Sequence, residues 1–442
     1  MKNFRLAIVA LAGLLFASAP ASAQLRVDVT QGNIQPMPIA IPDFIGATPN
    51  DASAAANIAG VVRADLERSG LFKPLDPKSF IDHIKDVNTP PNYANWRVIN
   101  AQGLVTGQAT LQADGRLRVD FRVWDIYGQR ELFPGEGYFT HPENWRSAAH
   151  MISDKIYQAI TGEKGYFNSR VVFIAESGPA LDRKKRLAIM DEDGANPSFL
   201  TDGSYLVLTP RFNPMSGAQM IAYMSYIGGK PRVYLFDINT GHQQMLGNFP
   251  NMTFSPRFSP DGNKVVMSLE KGGNSDIYMM DLRTRSVTRL TSDPAIDTSP
   301  SFSPDGNQIT FESDRGGSQQ VYVMNADGSN AHRISFGEGK AGTPVWSPRG
   351  DLIAFTKQAA GSFRIAVMHT DGSGERVISD GWEDEGPTWA PNGRVLMFTR
   401  TLRGGHGSQI WSVDVTGRNE RRVLTPGEAN GASDPAWSPL IQ

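Results

Sequence analysis

The chain has 442 residues, no cysteine, and 43 basic against 45 acidic side chains, for a formal charge of −2. The missing thiols exclude disulfides, thiolate zinc centres and cysteine nucleophiles, and the balanced charge argues against nucleic acid as a partner. With 40% hydrophobic residues the chain is long enough for two globular domains.

The first elements read as a targeting segment. Lys2 and Arg5 precede an apolar run from Leu6 to Ala17, and Ala21-Ser22-Ala23 follows. A basic start, a short apolar stretch and a small-residue site describe a secretory signal peptide at 1–23, cleaved before Gln24. The run is shorter than the roughly 20 apolar residues that span a bilayer, so the mature chain is expected in the periplasm, without membrane insertion. It would carry 41 basic and 45 acidic residues, because Lys2 and Arg5 leave with the signal. The one compact basic run, Arg183-Lys184-Lys185-Arg186, is expected to be a solvated turn.

Residues 24–34 come next. Leu25, Val27 and Val29 alternate with Arg26, Asp28 and Thr30, and Gly32, Pro36 and Pro38 follow. This period of two marks an extended segment that can add to a sheet edge. Two readings stand: a partner-binding strand, or the first strand of the following domain.

Residues 35–162 lack any repeat and are expected to form a small α/β domain. A strand at 39–41 precedes a helix at 51–69, capped by Asn50 or Asp51 and ended by Gly70. A hairpin is expected between 104–111 and 116–126 about Ala113-Asp114-Gly115, then a second helix at 142–160. The segment Thr161-Gly162-Glu163-Lys164-Gly165 ends that helix and marks the boundary.

From 166 to 442 the chain repeats. Pro210-Arg211-Phe212-Asn213-Pro214 recurs as Pro256-Arg257-Phe258-Ser259-Pro260, Pro300-Ser301-Phe302-Ser303-Pro304, Pro344-Val345-Trp346-Ser347-Pro348, Pro387-Thr388-Trp389-Ala390-Pro391 and Pro435-Ala436-Trp437-Ser438-Pro439. The first prolines are 46, 44, 44, 43 and 48 residues apart. A period in the low forties with strand-like content is the signature of a β-propeller. Three strand-like runs at 170–201 lack a motif in front of them, and the sixth motif has no strands after it. The C-terminal strand should therefore supply the first blade's inner strand, giving six blades in a closed ring. The motif aromatics are expected to pack between blades, and the Asp-Gly pairs to form tight turns.

Catalytic readings find little support. A propeller-gated peptidase needs a Gly-x-Ser-x-Gly turn, and no such pentapeptide occurs in the 442 residues. A sialidase would place glycine two positions after its aspartates, whereas here glycine follows at once in Asp261-Gly262 and Asp305-Gly306. The histidines His83, His141, His150, His242, His332, His369 and His406 are scattered, and are expected to serve as surface or packing residues. No catalytic residue, resident metal or cofactor is expected. A periplasmic hydrolase and a sugar-binding propeller remain as the alternatives.

The order of signal peptide, extended segment, small α/β domain, Thr161-Gly162-x-Lys164-Gly165 junction and six Ser-Pro-Asp-Gly-type blades resembles the TolB family of the Tol-Pal system. The resemblance covers essentially the whole mature chain. It implies a monomeric, non-enzymatic scaffold that binds the C-terminal domain of TolA and the lipoprotein Pal, with other outer-membrane proteins as further candidates, and that supports outer-membrane integrity and constriction at cell division. It assigns TolA binding to Gln24, Leu25, Arg26, Val27, Asp28, Val29, Thr30, Gln31 and Gly32, although Gln24 and Thr30 depart from the family pattern. Pal binding falls by family match on Met252, Ser255 and Thr298. Their neighbours Thr253, Phe254, Asp297 and Glu385, on the turns leading into the inner strands, extend that set. Met252 and Phe254 are expected on an exposed loop. The carboxylates Asp297, Asp384, Glu385 and Asp434 are expected to be solvated at the channel mouth rather than to hold a cation.

Overall fold

The computed structural model describes residues 25–27, 35–179, 182–215, 219–404, 407–423 and 431–441. The expected signal peptide, Gln24 and Asp28 to Gly32 lie outside the described residues. The first part of the chain builds a seven-stranded sheet. Its main path runs Phe72–Pro74, Met37–Ala40, Gly103–Leu111, Leu117–Asp125, Arg130–Glu131. The central pair, Gly103–Leu111 with Leu117–Asp125, is the expected hairpin.

Helices α1 (Pro49–Arg68), α2 (Tyr93–Val98) and α3 (Trp145–Thr161) accompany this sheet. The cap of α1 is Thr48, not Asn50 or Asp51. Its hydroxyl accepts the Asp51 N–H at 3.2 Å, while the Asp51 carboxylate accepts the Thr48 N–H at 3.2 Å. Pro49 takes the first helical position, where its missing N–H costs nothing. The other Asp51 oxygen accepts the Leu111 N–H at 2.9 Å, tying the helix start to the hairpin. That amide is the chief reason the Asp51 carboxyl titrates below its usual range. At the far end Gly162 closes α3 in the left-handed region, φ 78°, a conformation that favours glycine.

The rest of the chain is a propeller of six four-stranded sheets. The first blade is completed by Gly431–Trp437, which pairs antiparallel with Arg170–Ser177. Each inner strand carries one motif aromatic across to the preceding blade. Phe258 packs with Val233 and Leu235, Trp346 with Val321 and Ile334, and Trp389 with Val367 and Ile378. The three motif tryptophans add indole hydrogen bonds: Trp389 Nε1 donates to the Val345 carbonyl at 3.0 Å, Trp437 Nε1 to Ser169 Oγ at 2.7 Å and Trp346 Nε1 to the Gly350 carbonyl at 3.5 Å.

Every inner strand starts at one end of the ring and finishes in its Ser-Pro-x-Gly-type turn at the other. The first domain sits on the turn end. Glu163 pairs there with Arg394 at 2.7 Å and Arg349 at 3.1 Å, and Asn392 donates to the Lys164 carbonyl at 3.1 Å. Asn419 reaches the Arg68 carbonyl at 2.6 Å.

Beneath these contacts lies a buried charged network. His150 Nδ1 meets Asp65 at 2.8 Å, and Arg68 bridges Asp65 at 2.9 Å to Glu192 of the first blade at 2.7 Å. Arg146 pairs with Asp191 at 3.4 Å and also with Asp193. The ligand-type atoms of Asp65, His150 and Glu192 lie close enough together to hold a cation, but Arg68 and the protonated His150 already pair with these carboxylates. His150 is therefore half of a buried ion pair, more than the packing residue expected of it. The other described histidines are exposed.

Two stability measurements test this arrangement. Trp389→Ala removes an inter-blade bridge and orphans the Val345 carbonyl, and should lower unfolding free energy by about 3–5 kcal/mol in denaturant titration. The second concerns pH. Burial pulls the His150 imidazole down, but the Asp65 carboxylate and then Glu192 outweigh it and raise it to about 9. Burial likewise pushes the Glu192 carboxyl up. Both folded values exceed the unfolded ones, so the His150 contribution is fully present below about pH 6.5 and is lost as pH rises through about 9. Glu192 works in the same direction, because its burial becomes more costly as it ionises. Stability should fall by on the order of 2 kcal/mol between pH 6.5 and 9.5, and His150→Gln should flatten that fall.

Candidate functional site

The end of the ring opposite the first domain is built from one repeated irregularity. Just before each motif proline the inner strand slips register against its neighbour, as between Leu208 and Arg211 or Thr298 and Ser301. The same bulge occurs in all six blades. The residue preceding the proline is left-handed every time: Thr209, Ser255, Ser299, Thr343, Gly386 and Asp434, with φ between 48° and 64°. Only glycine adopts this region freely, and each other residue costs on the order of 1 kcal/mol or more to hold there.

What holds it differs around the ring. In four blades the left-handed amide donates to a side chain on the preceding blade. Ser299 reaches Ser268 Oγ at 3.3 Å, Thr343 Glu312 Oε2 at 3.0 Å, Gly386 Thr356 Oγ1 at 3.3 Å and Asp434 Thr399 Oγ1 at 2.9 Å. For Thr209 and Ser255 the matching positions are Ile174 and Met224, which offer no oxygen. The Thr209 hydroxyl is buried without a partner. One sector of the mouth is thus apolar and carries amides not tied to a side chain, and Met252 and Phe254 stand in that sector, both half-buried.

Several expectations need correction. Phe254 is not on a free loop, because Thr253–Phe258 is the inner strand itself, and Met252 immediately precedes that strand, half-buried, with its carbonyl accepting the Glu270 N–H at 3.0 Å. Thr253 is buried, and its hydroxyl accepts the Val233 N–H at 3.0 Å, so it braces the blade and is removed from the contact set. Asp297 is fully buried and gripped by Arg315 at 2.8 and 3.0 Å. Asp384 is likewise buried under Arg400 at 2.6 and 2.8 Å. The expected solvated carboxylates are therefore split. Asp297 and Asp384 are internal ion pairs, while Glu385 is exposed as a residue, and partial desolvation of its carboxyl within the mouth, then the neighbouring Glu383 and Asp434 charges, raise its pKa. Thr298 is half-buried at the same level.

The extended N-terminal segment is visible at Leu25, Arg26 and Val27. They join no strand among the described residues, so the reading as the domain's first strand does not describe them. The Val27 N–H donates to the Ile160 carbonyl near the end of α3 at 3.0 Å, Val27 is buried, and Leu25 is half-buried against the same core. The described part of the N-terminal segment and the mouth therefore lie at opposite ends of the propeller.

Comparison with known proteins agrees with both halves of the fold. Residues 25–132 match the family model described as the TolB amino-terminal domain, and residues 157–441 the one described as the TolB beta propeller domain. The crystal structure of TolB from Acinetobacter baumannii is similar at 30% identity and a TM-score of 0.79, covering 94% of this chain and 100% of that one. A putative TolB from Agrobacterium tumefaciens matches at 19% identity and a TM-score of 0.47, over 60% of this chain and 93% of that one. A chain of a nidogen/laminin complex is similar at 8% identity and a TM-score of 0.50, over 62% of this chain and 100% of that one, a likeness of fold alone. With both of its domains matched in order, the chain belongs to the TolB family.

Proposed function

We propose that this chain is a periplasmic, non-catalytic scaffold of the Tol-Pal system, linking the C-terminal domain of TolA to Pal and so supporting outer-membrane integrity and constriction at division. The observation that carries the reading is the match to both TolB domains in one chain. The periplasmic placement rests on the signal-like residues 1–23. Among the described residues no helix is long and apolar enough to cross a membrane.

The geometry supports a division of labour. The segment from Gln24 to Gly32 is anchored, where described, by one backbone hydrogen bond and the buried Val27. Such a hold is weak enough to be exchanged for main-chain bonds to a partner strand. At the other end, Met252, Phe254, Ser255, Thr298 and Glu385 would form the Pal surface, with the apolar sector as its anchor.

Deleting 24–33 should abolish binding of the TolA C-terminal domain in calorimetry and leave Pal binding unchanged. Undiminished TolA affinity would show that the segment only completes the fold. Met252→Asp or Thr298→Arg should weaken Pal at least about tenfold, or 1.4 kcal/mol, because either places a charge in a desolvated contact. Asp327→Arg, in an exposed outer turn, should leave Pal binding as it was. The reverse pattern would put Pal on the other face.

A further inference from the structure

The position between the first proline and the aromatic of each motif is Arg211, Arg257, Ser301, Val345, Thr388 and Ala436. All six line one axial cavity of about 430 Å³ toward the first-domain end of the channel. Its lining includes Arg211 and Arg257 from neighbouring blades and Lys164 from the linker, and among the described residues no carboxylate. In a chain with a formal charge of −2, such a cluster needs an explanation.

The guanidiniums are not used internally in the ordinary way. Neither makes an ion pair among the described residues, whereas Arg315 and Arg400 elsewhere in the propeller each clasp a buried aspartate. Arg211 donates to the Pro210 carbonyl at 2.6 Å, and its Nε is buried without a partner. Burial and then the Arg211 charge push Arg257 well below the usual arginine range. Arginine nevertheless stays protonated in proteins, so two half-buried like charges share the channel with neither held in an ion pair among the described residues, where the one carboxylate that acts on Arg211 is that of Asp434, an arrangement that favours an added anion.

Two hydroxyls complete the picture. Ser301 Oγ accepts the Trp346 N–H at 3.3 Å, and Thr388 Oγ1 accepts the Trp437 N–H at 3.2 Å. Each hydroxyl oxygen is thus engaged as an acceptor and keeps a proton to donate into the cavity. The walls offer forked cationic donors and neutral hydroxyl donors, the complement of a tetrahedral oxyanion. The volume suffices for such an ion with several waters, at about 30 Å³ each.

We propose that the axial channel of this propeller holds a small oxyanion of the phosphate class, clasped by Arg211 and Arg257 with Lys164 at the edge of the site. The site is separate from the mouth proposed for Pal and from the N-terminal segment.

The test is titration of the full mature chain with inorganic phosphate, against chloride at matched ionic strength, by calorimetry and thermal unfolding. Saturable phosphate binding with a rise in unfolding temperature is expected, and neither with chloride. Arg257→Met should weaken phosphate at least tenfold. In phosphate-free buffer it should unfold at the same temperature as the parent or higher, because a repulsion has been removed. Arg211→Lys, which keeps the charge but loses the fork, should weaken phosphate less, and Lys271→Met on an exposed outer turn should not change it. Absence of saturable binding by the parent chain would overturn the proposal, whatever the variants do. So would an unchanged affinity in Arg257→Met, or destabilisation of that variant without phosphate, which would make the arginine an internal brace.

Discussion

The pairing of Gly431–Trp437 with Arg170–Ser177 joins chain segments more than 250 residues apart, and the rest of the architecture leans on it. Without that strand the first blade would have three strands and an open edge facing the central channel. The same segment also stitches the two domains. Trp437 packs edge-on against Tyr166 and donates to Ser169, the Ile441 N–H donates to the Asn168 carbonyl at 2.7 Å, and Asn168 returns a bond to the Ile441 carbonyl at 2.7 Å. Closure of the ring therefore also fixes the stretch of chain that leads out of the first domain. A single core runs through both, from Ile58 and Ile156 of the helices to Phe173 and Trp437 of the first blade.

The propeller was legible because its determinants are local and repeated. A proline, an aromatic and a tight turn recur in each copy, and a period in the low forties has few other structural meanings. The first domain was legible in outline, since helix and hairpin periodicities survive in a single sequence. Its cap was misplaced because Asn50 and Asp51 are both good cap residues, and the choice of Thr48 depends on Pro49 and on the distant Leu111 amide.

Side-chain pairing was much less visible. Asp297 finds Arg315 and Asp384 finds Arg400 across a strand turn, and such pairs fold back on themselves in a way that periodicity does not report. The network of Asp65, Arg68, His150 and Glu192 went unread for the same reason. A signal did exist there, since Asp65 and His150 interrupt the apolar faces of their helices beside Leu66 and Ala149. The axial arginines were equally open to view, as the variable position of an otherwise strict motif.

The two ends of the propeller differ in kind, and the difference bears on how they could influence each other. At the first-domain end, salt bridges and side-chain-to-carbonyl bonds fix the turns. At the other end sit six left-handed residues, five of them under strain because only Gly386 is a glycine, and four are held by one side-chain bond from the neighbouring blade. An inner strand cannot slide to carry a signal between these ends, because its bulge pins the register at one side and its turn at the other. Any tilt of one blade on the next would instead have to lengthen bonds such as Thr343 N–H to Glu312 at one end and shift Arg349 and Arg394 against Glu163 at the other. The first, fifth and sixth blades carry both kinds of contact, with Asp434, Thr343 and Gly386 at one end and Glu192, Arg349 and Arg394 at the other. These three blades are the ones through which the mouth and the first domain are joined by direct contacts.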